Sequence, residues 1–170
     1  MNLPKSVAGI VFSPDRTAVL LIKRRDVPVW VLPGGGIDRG ESAENAVVRE
    51  MLEETGFTVK AQRFIADYIP INRLAKRTHF YECAIVSGKP MLSSETSGIQ
   101  FFPLNRLPPL PPPYLEWIGD AVQGLPPFQK KLTGVTYFVL IKHLILHPIL
   151  VCRFLLARLG RPIQSRHPLL

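Results

Sequence analysis

Three glutamates near residue 50 have the spacing of a metal site on one face of a helix. Glu50, Glu53 and Glu54 stand at i, i+3 and i+4, so a helix would place their carboxylates side by side. Three like charges repel one another there, and a divalent cation would relieve the repulsion. Because all the ligand atoms would be oxygens, they favour a hard ion, Mg²⁺ or Mn²⁺, which also suits phosphate substrates.

The helix that must carry these glutamates is predicted over residues 42–55. Apolar residues recur there at near-helical spacing, Ser42 or Glu41 can cap the start, and Gly56 stands where a helix would end. The glycine-rich stretch 33–36 precedes it, and glycine lets the backbone approach a metal or a phosphate closely. A solvated acidic face with a local arginine counter-ion is the alternative interpretation of the same residues.

The glutamates belong to a longer pattern that runs from Gly35 to Phe57, which we call the box. Glu41 follows Gly35 after five residues, Arg49 and Glu50 follow after seven more, and Glu53-Glu54 and Gly56-Phe57 complete it. Seven positions are fixed in identity, and a random match at a given start has a probability on the order of one in a billion. In this pattern the chain resembles the Nudix hydrolases, which cleave a nucleoside diphosphate linked to another group.

The resemblance implies a role for each chemical group of the pattern. Glu53 and Glu54 are the expected principal metal ligands, with a backbone carbonyl from Gly34 in the same metal shell. Glu50 is expected to be a further ligand or the base that activates water, and Arg49 to orient Glu50. The expected catalytic set is therefore Glu50, Arg49 and Glu53, and the expected metal-binding set is Gly34, Glu50, Glu53 and Glu54.

The reaction that the resemblance implies is attack of water on one phosphorus of a diphosphate. Metal ions would neutralise the diphosphate charge, and no nucleophilic side chain is needed. The expected substrate is a nucleoside triphosphate, a nucleotide sugar or a nucleotide-alcohol. A catalytically silent Nudix-type module, which binds nucleotides or acts through a membrane-associated tail, is the alternative; the intact glutamates and Arg49 favour the enzyme.

Alternating apolar segments around the box helix indicate an α/β protein. The resemblance implies a Nudix-type α/β/α sandwich with a mixed β-sheet, in a domain over residues 1–125. A C-terminal extension, apolar, basic and helical, is predicted over 126–170. Strands are predicted over 6–12, 17–23, 30–32, 57–67, 78–86 and 99–102, and a second helix over 113–123.

Substrate contacts outside the box are predicted at two places. Arg73 and Arg77 belong to a basic cluster that would contact substrate phosphates, with a solvated loop as the alternative. Glu95 precedes an Ile-x-Phe-Phe strand where many relatives have an acidic residue, but the second acid that they often have three residues later is Gly98 here. Glu95 either substitutes for that late glutamate or is a plain surface residue.

The positive charge of the chain is concentrated in its tail. The formal net charge is +8, but through Asp120 there are 14 Lys and Arg against 13 Asp and Glu, and beyond it seven Lys and Arg with no acid. The near-neutral body argues against nucleic acid as a partner. Residues 1–5 lack the apolar core of a signal peptide, so a cytoplasmic location is expected.

Three interpretations of the apolar, basic segment 132–159 remain open. It could lie as a helix on an anionic membrane surface, at the inner face of a membrane, because basic groups cluster on one half of the helical wheel. It could pack on the body or on a second subunit in a homodimer. It could also span a membrane, although Lys142 near its middle would cost about 3 kcal/mol and Pro148 would kink the helix.

Overall fold

The computed structural model describes residues 5–139, 141 and 149, which fold into two β-sheets and two named helices. In chain order the elements are β1 (Lys5–Ile10), β2 (Ala18–Arg24), β3 (Trp30–Val31), α1 (Ala43–Thr55), β4 (Phe57–Pro70), β5 (Arg77–Gly88), β6 (Thr96–Pro103), α2 (Tyr114–Gln123) and β7 (Phe128–Leu132).

The larger sheet is mixed, as predicted. Its strand order is β1-β5-β4-β7, with β1 parallel to β5, β4 antiparallel to β5, and β7 parallel to β4. The smaller sheet is antiparallel, in the order β3-β2-β6. Helix α1 contacts β4 and β1, so the fold is the predicted α/β arrangement of sheets and helices.

Helix α1 begins and ends where its capping residues require. The Ser42 side chain accepts a hydrogen bond from the Asn45 amide at 3.1 Å, which satisfies one of the free amides of the first turn. Gly56 has φ 75° and its amide donates to the Leu52 carbonyl at 2.8 Å, a conformation that glycine adopts without strain. The predicted helix is therefore confirmed to within one residue.

Two apolar cores hold the helices against the sheets. The core beneath α1 joins this helix to β1, β2, β4 and β5 through Val7, Val11, Leu20, Ala46, Val47, Met51, Val59 and Cys83. The core beneath α2 contains Tyr68, whose ring stacks on Trp117 with centroids 4.8 Å apart. The Tyr68 hydroxyl donates to buried Asp120 at 2.7 Å. Each helix is thus fixed by its own core.

Strand β7 is the element that the sequence did not predict. Its central residues are polar, and the burial of Leu132, 1% exposed, is set by pairing with β4 rather than by an apolar run. Lys130 reaches from this strand to Glu116 at 2.9 Å and to Asp120 at 3.0 Å on α2. The strand lies beyond the predicted domain boundary at residue 125, which stays a prediction.

The segment that follows β7 begins against the body of the protein. The Asn72 side-chain amide donates to the Val135 carbonyl at 2.6 Å, and residues 137–139 are helical. Apart from residues 141 and 149, the remainder of the predicted tail helix lies outside the described residues. In the part of the chain that is described, helices are too short or too polar to cross a membrane.

Candidate active site

The glycine loop between β3 and α1 is fixed to strand β1 by its backbone. The Gly9 amide donates to the Pro33 carbonyl and the Val7 amide to the Gly35 carbonyl, each at 2.9 Å. Gly34 has φ 152°, and a Cβ there would overlap the Val7 carbonyl oxygen. A side chain at this position is therefore excluded both by the backbone conformation and by space.

One carbonyl of this loop is available for a metal ion. Those of Pro33 and Gly35 accept bonds from β1, and the Gly36 carbonyl accepts from Arg49 at 2.9 Å. No hydrogen bond to the Gly34 carbonyl occurs within the described residues. This is the carbonyl that the sequence assigned to the metal shell, so the geometry is compatible with that assignment.

Arg49 connects the loop and the acidic residues of α1. Its guanidinium donates two hydrogen bonds of 2.9 Å to the Glu41 carboxylate. The same group donates to Glu50 at 2.9 Å and, more weakly, to Glu53 at 3.4 Å. A planar guanidinium can hold two carboxylates and a carbonyl at fixed angles, which an ammonium group cannot do.

The carboxylates of the site differ in their electrostatic surroundings. Burial raises the pKa of Glu50, although the neighbouring Arg49 opposes this shift. Burial raises the pKa of Glu54 to about 8, despite a hydrogen bond of 2.7 Å from the Gly34 amide, and the nearby Glu50 and Glu95 contribute to the increase. Glu53, in contrast, is 58% exposed. The site therefore concentrates negative charge where water is partly excluded, which a cation would stabilise.

The donor set fits a hard divalent cation. The available atoms are carboxylate oxygens and one carbonyl oxygen, the ligands that Mg²⁺ prefers. A Cβ on Gly35 would overlap the Glu50 carboxylate, so glycine leaves the space that this side chain needs. Among the described residues, no three acidic, histidine or cysteine side chains already form a metal cage. Because Glu50 faces Arg49 and Glu54 faces the Gly34 amide, these side chains must turn to share a cation.

A cavity of about 550 Å³ opens over these groups; we call it the carboxylate cavity. Its lining consists of the glycine loop, the three glutamates of α1, Arg24 from β2, and a loop before β6, that is Arg24, Gly34, Gly35, Gly36, Glu50, Glu53, Glu54, Ser93, Ser94 and Glu95. The structure thus brings Glu95 to the box residues, although 45 positions separate it from Glu50 in the sequence.

Two arginines at the end of β2 were missed by sequence reasoning. Arg24 lines the carboxylate cavity, and its guanidinium is held by Asp26 through hydrogen bonds of 2.9 and 2.5 Å. Arg25 fixes the loop that carries Glu95: its amide donates to the Glu95 carbonyl at 2.8 Å, and its guanidinium donates to the carbonyls of Ser93 and Thr96. A basic doublet after an apolar strand was the available signal.

A family comparison agrees with this geometry. A domain model described as NUDIX matches residues 3–123, a range that includes both the box and the loop of Glu95.

The chain belongs to the NUDIX family.

Known relatives of this Nudix protein act on nucleotides. A Bacillus subtilis protein assigned as an 8-oxo-dGTP diphosphatase is 39% identical over 102 residues, which are 59% of this chain and 68% of the relative. The ADP-ribose pyrophosphatase of Methanocaldococcus jannaschii is 34% identical, over 62% of this chain and 64% of its own length. The crystal structure of an ADP-ribose pyrophosphatase from Streptococcus suis is similar with a TM-score of 0.65 and 26% identity, over 76% of this chain and 99% of the other. As a member of this family, the chain is a Nudix hydrolase, a hydrolase that acts on pyrophosphate bonds.

The two arginines that were predicted to bind substrate lie away from the Nudix box. Arg77 forms a two-point ion pair with Asp67, at 2.9 and 2.5 Å, and Asp67 also accepts from Gln129 at 2.9 Å. Arg73 is exposed in the turn between β4 and β5. Neither residue lines the carboxylate cavity, so a phosphate contact by either stays a prediction.

Proposed function

We propose that this Nudix hydrolase cleaves the diphosphate linkage of a nucleoside diphosphate derivative and requires Mg²⁺ or Mn²⁺. One observation carries the proposal: three carboxylates and the available Gly34 carbonyl meet in one cavity, and Arg49 holds the loop and the helix together there. Binding alone does not need an arginine that positions a glutamate, whereas the hydrolysis of a diphosphate does.

Each residue has a definite part in this proposal. Glu53, Glu54 and the Gly34 carbonyl would hold the cation, which when bound would neutralise the diphosphate charge. Glu50, with its raised pKa, accepts the proton of the attacking water or adds a ligand. Arg49 positions Glu50 through the 2.9 Å hydrogen bond. Glu95 lines the same cavity, and its proposed role is to substitute for the late glutamate of relatives, as a further acidic group for the cation or the water.

The substrate proposal rests on chemistry shared by the relatives. Their names refer to 8-oxo-dGTP and ADP-ribose, both of which contain a nucleoside and a phosphoanhydride. A further solved structure, described as a UDP-X diphosphatase, has the same fold, with a TM-score of 0.67 and 22% identity. We infer that this chain also acts on a nucleoside diphosphate joined to a second group. Arg73 and Arg77 remain candidate contacts of a substrate phosphate.

A release assay tests the proposal directly. The full chain is incubated with 8-oxo-dGTP, ADP-ribose and UDP-glucose, with Mg²⁺ or with a chelator, and the products are quantified by chromatography. At least one nucleoside monophosphate should accumulate, only with the cation. If nucleotides bind, as measured by calorimetry, but none is cleaved with Mg²⁺ or Mn²⁺, the chain is a silent binding module and the proposed function is wrong.

The basic segment after residue 132 supports a second, separate proposal. We propose that it attaches a cytoplasmic enzyme to the inner face of an anionic membrane, since the sequence beyond residue 132 contains five Lys and Arg and no Asp or Glu. A homodimer in which this segment packs on a second subunit is the competing proposal. Vesicle sedimentation and molar mass in solution distinguish the two.

A further inference from the structure

A second cavity, mostly apolar, lies beside the carboxylate cavity. Its volume is about 640 Å³, within the range of roughly 300–1,000 Å³ for cavities that hold small molecules. Its walls come from places far apart in the sequence: Val31 of β3 and valines of the turn before it, residues 74–78, the proline-rich stretch 109–113, the start of α2, and residues 135–139 after β7. We call it the apolar cavity.

Arg24 joins the two cavities. It lines both of them, and its positive charge partly opposes the rise in the pKa of Glu54 that burial causes. Asp26 accepts from Nε and Nη2 of the guanidinium, and among the described residues Nη1 has no acceptor, so it can donate to a phosphate oxygen. A diphosphate over the glutamates would therefore have one neighbour of opposite charge at the entrance to an apolar space.

Polar side chains are a minor part of the lining of the apolar cavity and include Lys76, Tyr114 and Thr136. The Trp117 ring lines it while the indole Nε1 is buried, with no hydrogen-bond partner among the described residues. The Thr78 hydroxyl is already engaged with the Lys76 carbonyl at 3.0 Å and with Ser6 at 2.9 Å. An occupant of this cavity consequently needs a large apolar surface, because most of the lining is apolar.

We propose that the apolar cavity binds a hydrocarbon group of the substrate, so that the second group on the nucleoside diphosphate is an apolar alcohol. This inference rests on the proposed function. In this arrangement Arg24 binds the phosphate that bears the alcohol, and the carboxylate cavity holds the other phosphate and the nucleoside. The hydrocarbon group of the alcohol enters the apolar cavity between residues 109–113 and 135–139. A nucleobase, with several donors and acceptors to satisfy, would leave them unpaired against these walls, which is costly.

The substrate series that tests this inference is the set of adenosine diphosphate esters of methanol, butanol and octanol, with ADP-ribose as the polar reference. Burial of one CH₂ group contributes about 0.8 kcal/mol, a factor of about four in kcat/KM. We expect the octyl ester to exceed the methyl ester by at least roughly 100-fold, with the gain levelling off once the cavity is full.

Two substitutions in the cavity wall and one matched control locate the effect. Val139→Trp and Ala75→Phe narrow the cavity from two sides, because both residues line it. Val122→Trp places the same bulk on an exposed position of α2 that lies outside the lining. The two wall variants should lower the octyl-to-methyl ratio at least about tenfold, and the control should keep both the ratio and the methyl-ester rate of the wild type.

The outcomes separate this inference from the proposed function. Equal rates for methyl and octyl esters, or a ratio that neither wall variant changes, would overturn the hydrocarbon site and leave the hydrolase intact. Wall variants that slow the methyl ester and ADP-ribose as much as the octyl ester would assign the cavity to the nucleoside instead. If no member of the series is cleaved while 8-oxo-dGTP or UDP-glucose is, the hydrocarbon site is overturned and the hydrolase stands; if none of these compounds is cleaved with Mg²⁺, the proposed function fails as well.

Discussion

The two neighbouring cavities are built in opposite ways. The carboxylate cavity takes most of its groups from one continuous stretch, residues 34–54, with fixed spacing along a loop and a helix. The apolar cavity takes its walls from β2, β3, the proline-rich connector and the segment after β7. Groups that bind a cation need exact angles, which one helix supplies, whereas an apolar group needs only volume and surface. The groups for catalysis thus come from residues close together in the sequence, whereas the groups for selectivity come from residues far apart in it.

The two regions also differ in what limits their stability. Around Glu54 the limiting quantity is the burial of a carboxyl group, and around Trp117 it is an indole N–H that has no partner among the described residues. A cation would stabilise the first region, and burial of an apolar ligand surface would stabilise the second. Changes in one region should therefore leave the other largely unaffected, except through the shared Arg24.

Removing one charged ligand should give the largest effect. Glu53→Gln keeps the shape of the side chain and removes its charge, and we expect kcat to fall on the order of 100-fold or more at saturating Mg²⁺. Glu44→Gln is the control, since Glu44 is exposed in the first turn of the same helix. A Glu53→Gln enzyme with most of the wild-type turnover would show that Glu53 is not a ligand.

A pH titration of stability in chelator should give the next largest effect. The pKa of Glu54 is raised from 4.5 to about 8 in the fold, so its protonated form favours folding. The free energy of unfolding that it contributes is fully present below pH 4.5 and is lost as the pH rises to about 8, by a few kcal/mol at most. Glu54→Gln should flatten this dependence in urea unfolding curves, and Mg²⁺ should restore stability to the wild type only. Parallel curves for both proteins in chelator would contradict the prediction.

A smaller loss is expected when the geometry of the arginine is altered without its charge. Arg49→Lys cannot hold Glu41 and Glu50 simultaneously, so we expect kcat to fall at least about tenfold with little change in the melting temperature. Arg39→Lys, at an exposed position before α1, is the control. If Arg49→Lys lowers stability and turnover in proportion, the residue is only structural.

The smallest effect on catalysis is expected from removal of the tail. A chain ending at Val139 retains β7, Leu132 and the wall residues of the apolar cavity, so it should cleave ADP-ribose as the full chain does. Binding to anionic vesicles should disappear with the tail, and in the full chain it should weaken as salt is added. Vesicle binding that survives in the shortened chain would contradict the membrane proposal.

The sequence predicted the carboxylate cavity far better than the apolar one, for a physical reason. The box glutamates, Arg49 and the cap residues belong to one helix, where their spacing in the sequence determines which side chains share a face. The contacts of Arg24 and Arg25 depend on how β2 pairs with β6, and the role of Leu132 depends on pairing with β4 across more than 60 positions. Such pairings follow from the whole fold, so local patterns could not reveal them.

Strand β7 also has a consequence for the making of the protein. During synthesis β4 is complete at residue 70, but its neighbour on one side ends only at residue 132. In that interval the unpaired amides and carbonyls of β4 are open to any other extended chain. The last of the described strands to leave the ribosome is therefore the one that covers this edge, and a nascent chain that stalls near residue 125 should associate with its own copies before it can finish folding.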